Sequence, residues 1–550
     1  RTPAHPSGFA QAVAVADSVI AAVGSDEEIR ALAGPATRVI DLRGRLTLPA
    51  FGDAHVHPVS GGLESLRCNL LGLRSRQECL DRIAGYAAGL PPATKRDPSA
   101  WVLGGGWSRE LFPGGSPAAA DLDRVTGGRP AFLSDRGHHS GWVNTAALAV
   151  AGIGPGTPDP QGGRIERDEA GRPSGTLHDG ALQLVTARIP SPSPDELTAG
   201  LLAGQAYLHS MGITSYQDAC VGAAGAIGIP DSFEAYRRAA AGGLLTARVV
   251  GSLWWDRQRD LGQVDDLLGR REQAGAGPFR ATTVKLMLDG VCETFTAAMG
   301  SSYLDRDGNH TGHRGDLFIQ PDLLAEATRR LAAEGFQLHF HAIGDRAVTA
   351  ALDVLADLPP QQRDSSRHHV AHVQFIRPRD VGRFAEIGAV ANFQPLWACH
   401  EPEMDELTVP FVGAERASWQ YQIGSLARSG ARIAFGSDWP VSSADPLQEI
   451  HVAVNRVLSS RLGRPGTPEC ETPFLPDQAI TLDAALAAFT TGVAYVNHQE
   501  HETGRLLPGL RADLVVLDQD LYAIPAAEIG STSVIMTVAG GRVVFGGEHP

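Results

Sequence analysis

Short apolar runs rich in small and β-branched residues alternate with amphipathic stretches through most of this chain. Eight runs have the length and texture of strands. The first is Leu48-Pro49-Ala50-Phe51-Gly52-Asp53-Ala54-His55-Val56-His57-Pro58. It is followed by Ile213-Thr214-Ser215-Tyr216-Gln217-Asp218, Thr246-Ala247-Arg248-Val249-Val250-Gly251 and Thr283-Val284-Lys285-Leu286-Met287-Leu288. Phe336-Gln337-Leu338-His339-Phe340-His341, His369-Val370-Ala371-His372-Val373, Ala389-Val390-Ala391-Asn392-Phe393 and Arg432-Ile433-Ala434-Phe435-Gly436-Ser437-Asp438 complete the set. Helical spacing lies between most of them. The clearest case is residues 193–211, with Ser193 as N-cap, Pro194 at the first helical position and Glu196 completing a capping box. Residues 320–334 and 345–357 carry the same periodicity.

Eight strand–helix repeats predict an α/β fold: a (β/α)8 TIM barrel over residues 49–60 and 190–501, with functional side chains at the C-terminal strand ends. The two ends of the chain have another texture. Ala12-Val13-Ala14-Val15, Val19-Ile20-Ala21-Ala22-Val23-Gly24 and Thr37-Arg38-Val39-Ile40-Asp41-Leu42 read as strands. So do Asp513-Leu514-Val515-Val516-Leu517-Asp518 and Ser533-Val534-Ile535-Met536-Thr537-Val538, and Gly540-Gly541 then turns the chain into Arg542-Val543-Val544-Phe545. One small β-sandwich assembled from residues 1–48 and 502–550 is expected. The connection after the first barrel strand is too long for a βα loop. Residues 61–189, with Gly/Pro-dense pieces and a strand-like Pro130-Ala131-Phe132-Leu133-Ser134, are expected to be an inserted subdomain over the barrel mouth.

Composition narrows the class. The 550 residues are 43% hydrophobic and 20% charged, which is globular. The net charge of −15 argues against nucleic acid or an anionic membrane as partner. No run approaches the ~20 apolar residues of a membrane helix. Six scattered Cys without a CxxC pair predict a reducing, cytoplasmic setting rather than a disulfide scaffold. A small-molecule substrate is the expected partner, and a homodimer the default assembly. The chain begins at Arg1 without Met, so a removed leader is compatible with the sequence.

The chemistry is at the strand ends. In a strand, His55 and His57 face the same way and can grip a metal together. Lys285 closes the fourth strand, His341 the fifth, His372 the sixth and Asp438 the eighth. Such N/O donors suit a divalent metal, with Zn the usual one. A cationic Lys285 beside metal ions would be repelled. Carbamylated by carbon dioxide, it becomes an anionic bridge between two ions; the alternative is a salt-bridged barrel lysine.

These motifs resemble the amidohydrolase superfamily, in particular amidohydrolase family 3, the branch with N-substituted formamide deformylase-like proteins. The pieces that carry the resemblance are Pro49-Ala50-Phe51-Gly52-Asp53-Ala54-His55-Val56-His57, Val284-Lys285-Leu286-Met287-Leu288-Asp289-Gly290, His339-Phe340-His341-Ala342-Ile343-Gly344-Asp345-Arg346-Ala347, His372-Val373-Gln374 and Phe435-Gly436-Ser437-Asp438-Trp439-Pro440. The resemblance implies His55, His57, His341, His372 and Asp438 as metal residues and Lys285 as the carbamylated bridge between two ions. In Gly137-His138-His139-Ser140-Gly141-Trp142-Val143-Asn144 it favours His139 as a catalytic histidine that assists carbonyl polarisation. It also suggests Thr296, in the loop after the fourth strand, as a pocket residue. His339 has the parity of a ligand, but the resemblance gives that role to His341 and leaves His339 as inner-barrel packing. Trp107 and Trp142, in the insertion, are candidate substrate contacts, with packing as their alternative role.

The expected reaction is hydrolysis of a non-peptide carbon–nitrogen bond, in an N-acyl or N-formyl amide of a small, partly apolar substrate. Metal-activated water is the nucleophile, and Asp438 takes its proton and returns it to the leaving amine. The competing readings are cyclic-amide opening or heterocycle deamination at the same site, a single-metal site, and a metal-binding regulatory protein without turnover.

Overall fold

The computed structural model describes residues 9–91, 101–135, 140–160, 163–223 and 229–547. The chain forms two compact units. One comprises Arg1–Pro58, Gln205–Ala223 and Asp231–Pro550; the other comprises Val59–Gly204 and Ala224–Pro230.

The larger unit is built on eight parallel strands: Phe51–Val56, Ile213–Val221, Arg248–Trp254, Phe279–Met287, Gln337–Ala342, His369–His372, Val390–Phe393 and Arg432–Phe435. They are hydrogen-bonded in chain order. The first and eighth meet through Asp438 N–H to His55 O (2.7 Å) and His57 N–H to Trp439 O (2.9 Å). The buried Asp53 carboxylate ties the same two strands, accepting the His55 N–H (2.9 Å), the Ser437 N–H and the Ser437 hydroxyl (2.6 Å). Gly436 is required at this seam, because a Cβ there would lie 2.5 Å from His55 N. The result is the expected (β/α)8 barrel. Its helices include Pro321–Ala333 and Asp345–Ala356, as the periodicity predicts. Helix Pro194–Ser210 carries the expected capping box: Ser193 N–H donates to Glu196 Oε2 (2.8 Å) and Glu196 N–H to Ser193 Oγ (3.2 Å).

Both chain ends enter one β module. Thr47–Pro49 pairs antiparallel with Leu514–Leu517, which continues to Val534–Ala539 and Arg542–Gly546 across the Gly540-Gly541 turn. The hairpin Ala12–Ala16 and Val19–Gly24 shares a core with that sheet: Ile20, Leu506, Ala512, Leu514, Val516, Met536 and Val538. Successive amides mark the hand-over from module to barrel. Ala50 N–H donates to Asp513 O and Phe51 N–H to Gly212 O. The strand expected at residues 37–42 does not form. Asp41 accepts the Arg43 N–H (2.8 Å), and Arg43 and Gly44 both take positive φ, so a local turn wins over β-propensity. Ile40 and Leu42 still pack against the module core.

The smaller unit holds a six-stranded mixed sheet in the order Cys68–Asn69, Val102–Trp107, Ala131–Asp135, Ser140–Val143, Pro173–Asp179, Gly163–Arg167. Helices Arg76–Gly89 and Ala119–Val125 pack into its core. Among the described residues no helix is long and apolar enough to cross a membrane. The cysteines are all free, and five of the six are buried.

Candidate active site at the barrel mouth

The strand register brings the sequence-selected residues together. Lys285 is opposite His339, Met287 opposite His341, and Ala342 opposite His372. The side chains of His55, Lys285, His341, His372 and Asp438 are all buried or nearly so. Asp438 Oδ1 lies 3.3 Å from His55 Nε2 and 3.0 Å from His57 Nε2. Those spacings are close to the ~3.3 Å edge of a tetrahedron of ligands with ~2.0 Å bonds. Lys285 Nζ is 3.3 Å from His55 Nε2. His372 joins from the other side, its ring 4.7 Å from that of His55 and 4.4 Å from that of His341.

His372, the last residue of its strand, and Asp438, three residues past the end of its own, both sit at positive φ (73° and 56°). A non-glycine residue held there costs about 1–3 kcal/mol, which the surrounding structure must repay. In return, each side chain leaves its strand direction and reaches the cluster.

Electrostatics keeps the donors available. Burial, reinforced by the Lys285 charge, pushes the His55 imidazole down to about 3, so it is neutral. Burial also pushes His372 well down. Burial alone would raise the Asp438 carboxyl, but His55 and His57 hold it well below the usual carboxylate range. Burial lowers the Lys285 ammonium to about 8 against the opposing pull of Asp438. A sizeable neutral fraction of that amine therefore exists near neutral pH.

A divalent cation fits this donor set. His372 Nδ1 and Asp438 Oδ1 are buried, and neither has a well-formed hydrogen bond within the protein. The ligand atoms of His55, His57 and Asp438 all lie within 4.8 Å of one another. Buried polar atoms without partners are costly, and an ion satisfies several at once.

Two neighbours, Asp289 and Trp397, were given no site role from sequence, and a third, His339, was expected only to pack. Asp289, fully buried two residues after the fourth strand, accepts the amides of Ala298 (2.8 Å), Ile343 (3.0 Å) and Gly344 (2.8 Å). Its Oδ1 lies 3.4 Å from His341 Nδ1, the carboxylate–histidine arrangement that orients a ligating imidazole. Trp397, half-buried after the seventh strand, stacks nearly parallel on His372 at 5.5 Å. His339 is not simple packing: its Nε2 lies 2.9 Å from His55 Nδ1.

Other sequence candidates fall elsewhere. Trp107 and Trp142 are wholly buried in the core of the smaller unit, against each other and Phe112. Their indole N–H groups are taken by the Leu133 and Ala118 carbonyls. The expected substrate contact is therefore corrected to packing: neither indole has surface left for a ligand. Thr296 is half-buried and orders its own loop, accepting the Val291 N–H at 3.0 Å and facing the Thr294 hydroxyl at 2.9 Å. His139 lies outside the described residues.

Clustered imidazoles and a carboxylate at the C-terminal mouth of a (β/α)8 barrel form a donor set suited to a divalent metal. The chain belongs to the amidohydrolase family, whose model matches residues 38–545. It is accordingly a hydrolase of carbon–nitrogen bonds other than peptide bonds. It is 28% identical over 546 residues to the protein LONG AFTER FAR-RED 3 of Arabidopsis thaliana, covering 98% of this chain and 88% of that protein. It is also 28% identical over 557 residues to the N-substituted formamide deformylase of Arthrobacter pascens, covering 98% and 96%. The crystal structure of an uncharacterised metal-dependent hydrolase from Pyrococcus furiosus has the same fold, with a TM-score of 0.70 at 24% identity over 92% of this chain and 95% of that one.

Proposed function

We propose that the chain hydrolyses a small N-acyl or N-formyl amide at this mouth, using a divalent metal centre, zinc by the nature of its donors. The observation that carries the reading is the convergence of His55 Nε2 and His57 Nε2 on Asp438 Oδ1, at 3.3 and 3.0 Å, with Lys285 Nζ at 3.3 Å from His55 Nε2. His55, His57 and Asp438 would hold one ion, and His341 and His372 a second. Lys285 would join them as an anionic carbamate ligand, formed when its neutral amine attacks carbon dioxide and releases a proton. When bound, the metal polarises the substrate carbonyl and brings the pKa of coordinated water toward about 7.

The protein's own groups do the rest. The ionised Asp438 accepts the proton of the attacking water and delivers it to the departing amine nitrogen, base first and acid second. Asp289 keeps His341 oriented. Trp397 offers an aromatic face beside His372, which favours an apolar group on the substrate. The likeness to a formamide deformylase supports an amide rather than a heterocycle as substrate class.

The test is hydrolysis of N-formyl and N-acyl amines by the zinc-loaded protein and by Asp438→Asn. Losing the proton carrier lowers kcat by about a hundredfold to ten-thousandfold while zinc stays bound. Near-normal turnover by the variant removes Asp438 from this role. Ammonia release from heterocycles, with no amide turnover, overturns the substrate class.

A further inference from the structure

The barrel interior beneath the site carries a chain of hydrogen bonds whose direction can be worked out from one end. Gln337, on the fifth strand, has its side-chain amide nitrogen 2.9 Å from Arg367 O and 2.7 Å from Val496 O. Both are backbone carbonyls, so only the NH2 group can face them. Its Oε1 therefore points inward, where it accepts from the Thr283 hydroxyl (2.8 Å) and from Gln217 (3.1 Å). Gln217 must then present its own NH2 to Gln337, and to Asn497 Oδ1 at 3.1 Å. Its Oε1 is left facing Ser252 Oγ at 3.0 Å.

Ser252 has a single proton, and this carbonyl takes it. The Ser252 oxygen can then only accept from His339 Nδ1, 3.1 Å away, so that nitrogen carries the hydrogen. His339 Nε2 is the bare nitrogen. It faces His55 Nδ1 at 2.9 Å, which must donate. His55 Nε2 is thereby left with its lone pair turned to Asp438 and Lys285. In the metal-free chain Lys285 agrees with the assignment: its amine Nζ, a donor, lies 3.3 Å from His55 Nε2 and 3.4 Å from His339 Nε2, the two nitrogens left without hydrogen.

We infer that Gln337, Gln217, Ser252 and His339 form a tautomer-setting relay that locks His55 with its hydrogen on Nδ1 and its Nε2 lone pair aimed at the metal position. None of the four touches substrate; they are positioning residues, acting through His55. The inference rests on the mouth being a metal centre. It accounts for fully buried polar side chains in a barrel interior that apolar residues would otherwise fill.

Two isosteric or near-isosteric changes separate positioning from mere structure. Ser252→Ala deletes the link that fixes His339. Thr283→Val deletes a hydrogen bond to the same Gln337 oxygen, but Gln337 stays oriented by its two carbonyls and the relay is intact. The measurement is Zn2+ affinity of the full chain by competition with a chromophoric chelator, alongside the unfolding midpoint. Ser252→Ala is expected to bind Zn2+ about 10- to 100-fold more weakly, the usual effect of losing support for a ligating histidine, and Thr283→Val like the parent. Equal affinity in all three proteins, or equal losses in both variants, overturns the relay. Failure of the parent to bind Zn2+ at all overturns the metal centre itself, a different outcome.

Discussion

Replacing Asp289 by Asn tests the link between barrel stability and the candidate site. The carboxylate accepts three amides from the segments after the fourth and fifth strands: Oδ2 takes Ala298 and Gly344, and Oδ1 takes Ile343. An asparagine retains one oxygen. Its best placement keeps that oxygen on Ala298 and Gly344 and turns the NH2 toward the Ile343 N–H, which loses its acceptor. Leaving one buried donor unpaired costs about 1–3 kcal/mol, and the two remaining bonds lose the charge that strengthened them. A loss of about 3 kcal/mol is the central expectation, read as a lower guanidinium midpoint. The same NH2 faces His341 Nδ1 where a carboxylate oxygen stood at 3.4 Å, so that imidazole loses its orienting acceptor. Zn2+ affinity should fall about 10- to 100-fold. A variant with the parent midpoint and the parent Zn2+ affinity would refute both the accounting for Asp289 and its role behind His341.

Acid lability follows from the buried histidines. Burial pushes His368 down to about 3 and His451 to about 4, below the ordinary histidine value. A depressed folded-state value means their stabilisation is present above about pH 6.5 and is lost as the pH falls toward 3–4, at about 1.4 kcal/mol per unit for each group. The guanidinium midpoint of the metal-free protein should therefore drop between pH 7 and pH 5. His368→Asn, which keeps an acceptor for the Leu338 N–H and removes the titration, should flatten the drop; an unchanged slope contradicts the assignment. Gly436→Ala places a Cβ 2.5 Å from His55 N and 2.8 Å from His55 Cβ, forcing the first and eighth strands apart. It should cost about 1–3 kcal/mol. Zn2+ binding should weaken as His55 moves, and parent-like binding would show that the seam does not hold the site.

The barrel was legible because its eight strands are short, apolar and separated by amphipathic helices, and because five of them end in ligand-type residues. His55, His57, Lys285, His341, His372 and Asp438 were visible as ligand-type residues at strand ends, but it was the family resemblance, not strand parity, that chose His341 over His339. The strand expected at residues 37–42 was misread because β-branched content does not reveal the Asp41 turn that competes with pairing. Asp289 and His339 were within the quoted motifs, yet their roles depend on partners distant in sequence, such as Ile343, 54 residues from Asp289, and His55, 284 residues from His339. Trp107 and Trp142 mislead for the opposite reason. Large aromatics in an insertion suggest a ligand surface, whereas the smaller unit uses them to fill its own core.

Anomalous diffraction from crystals of the zinc-loaded protein, recorded on both sides of the zinc edge, tests the central claim most directly. The account predicts two peaks at the barrel mouth, one beside His55, His57 and Asp438 and one beside His341 and His372, with carbamate density on Lys285 between them. A single peak with an unmodified Lys285 contradicts the bridge. Absence of any peak at the mouth contradicts the metal centre.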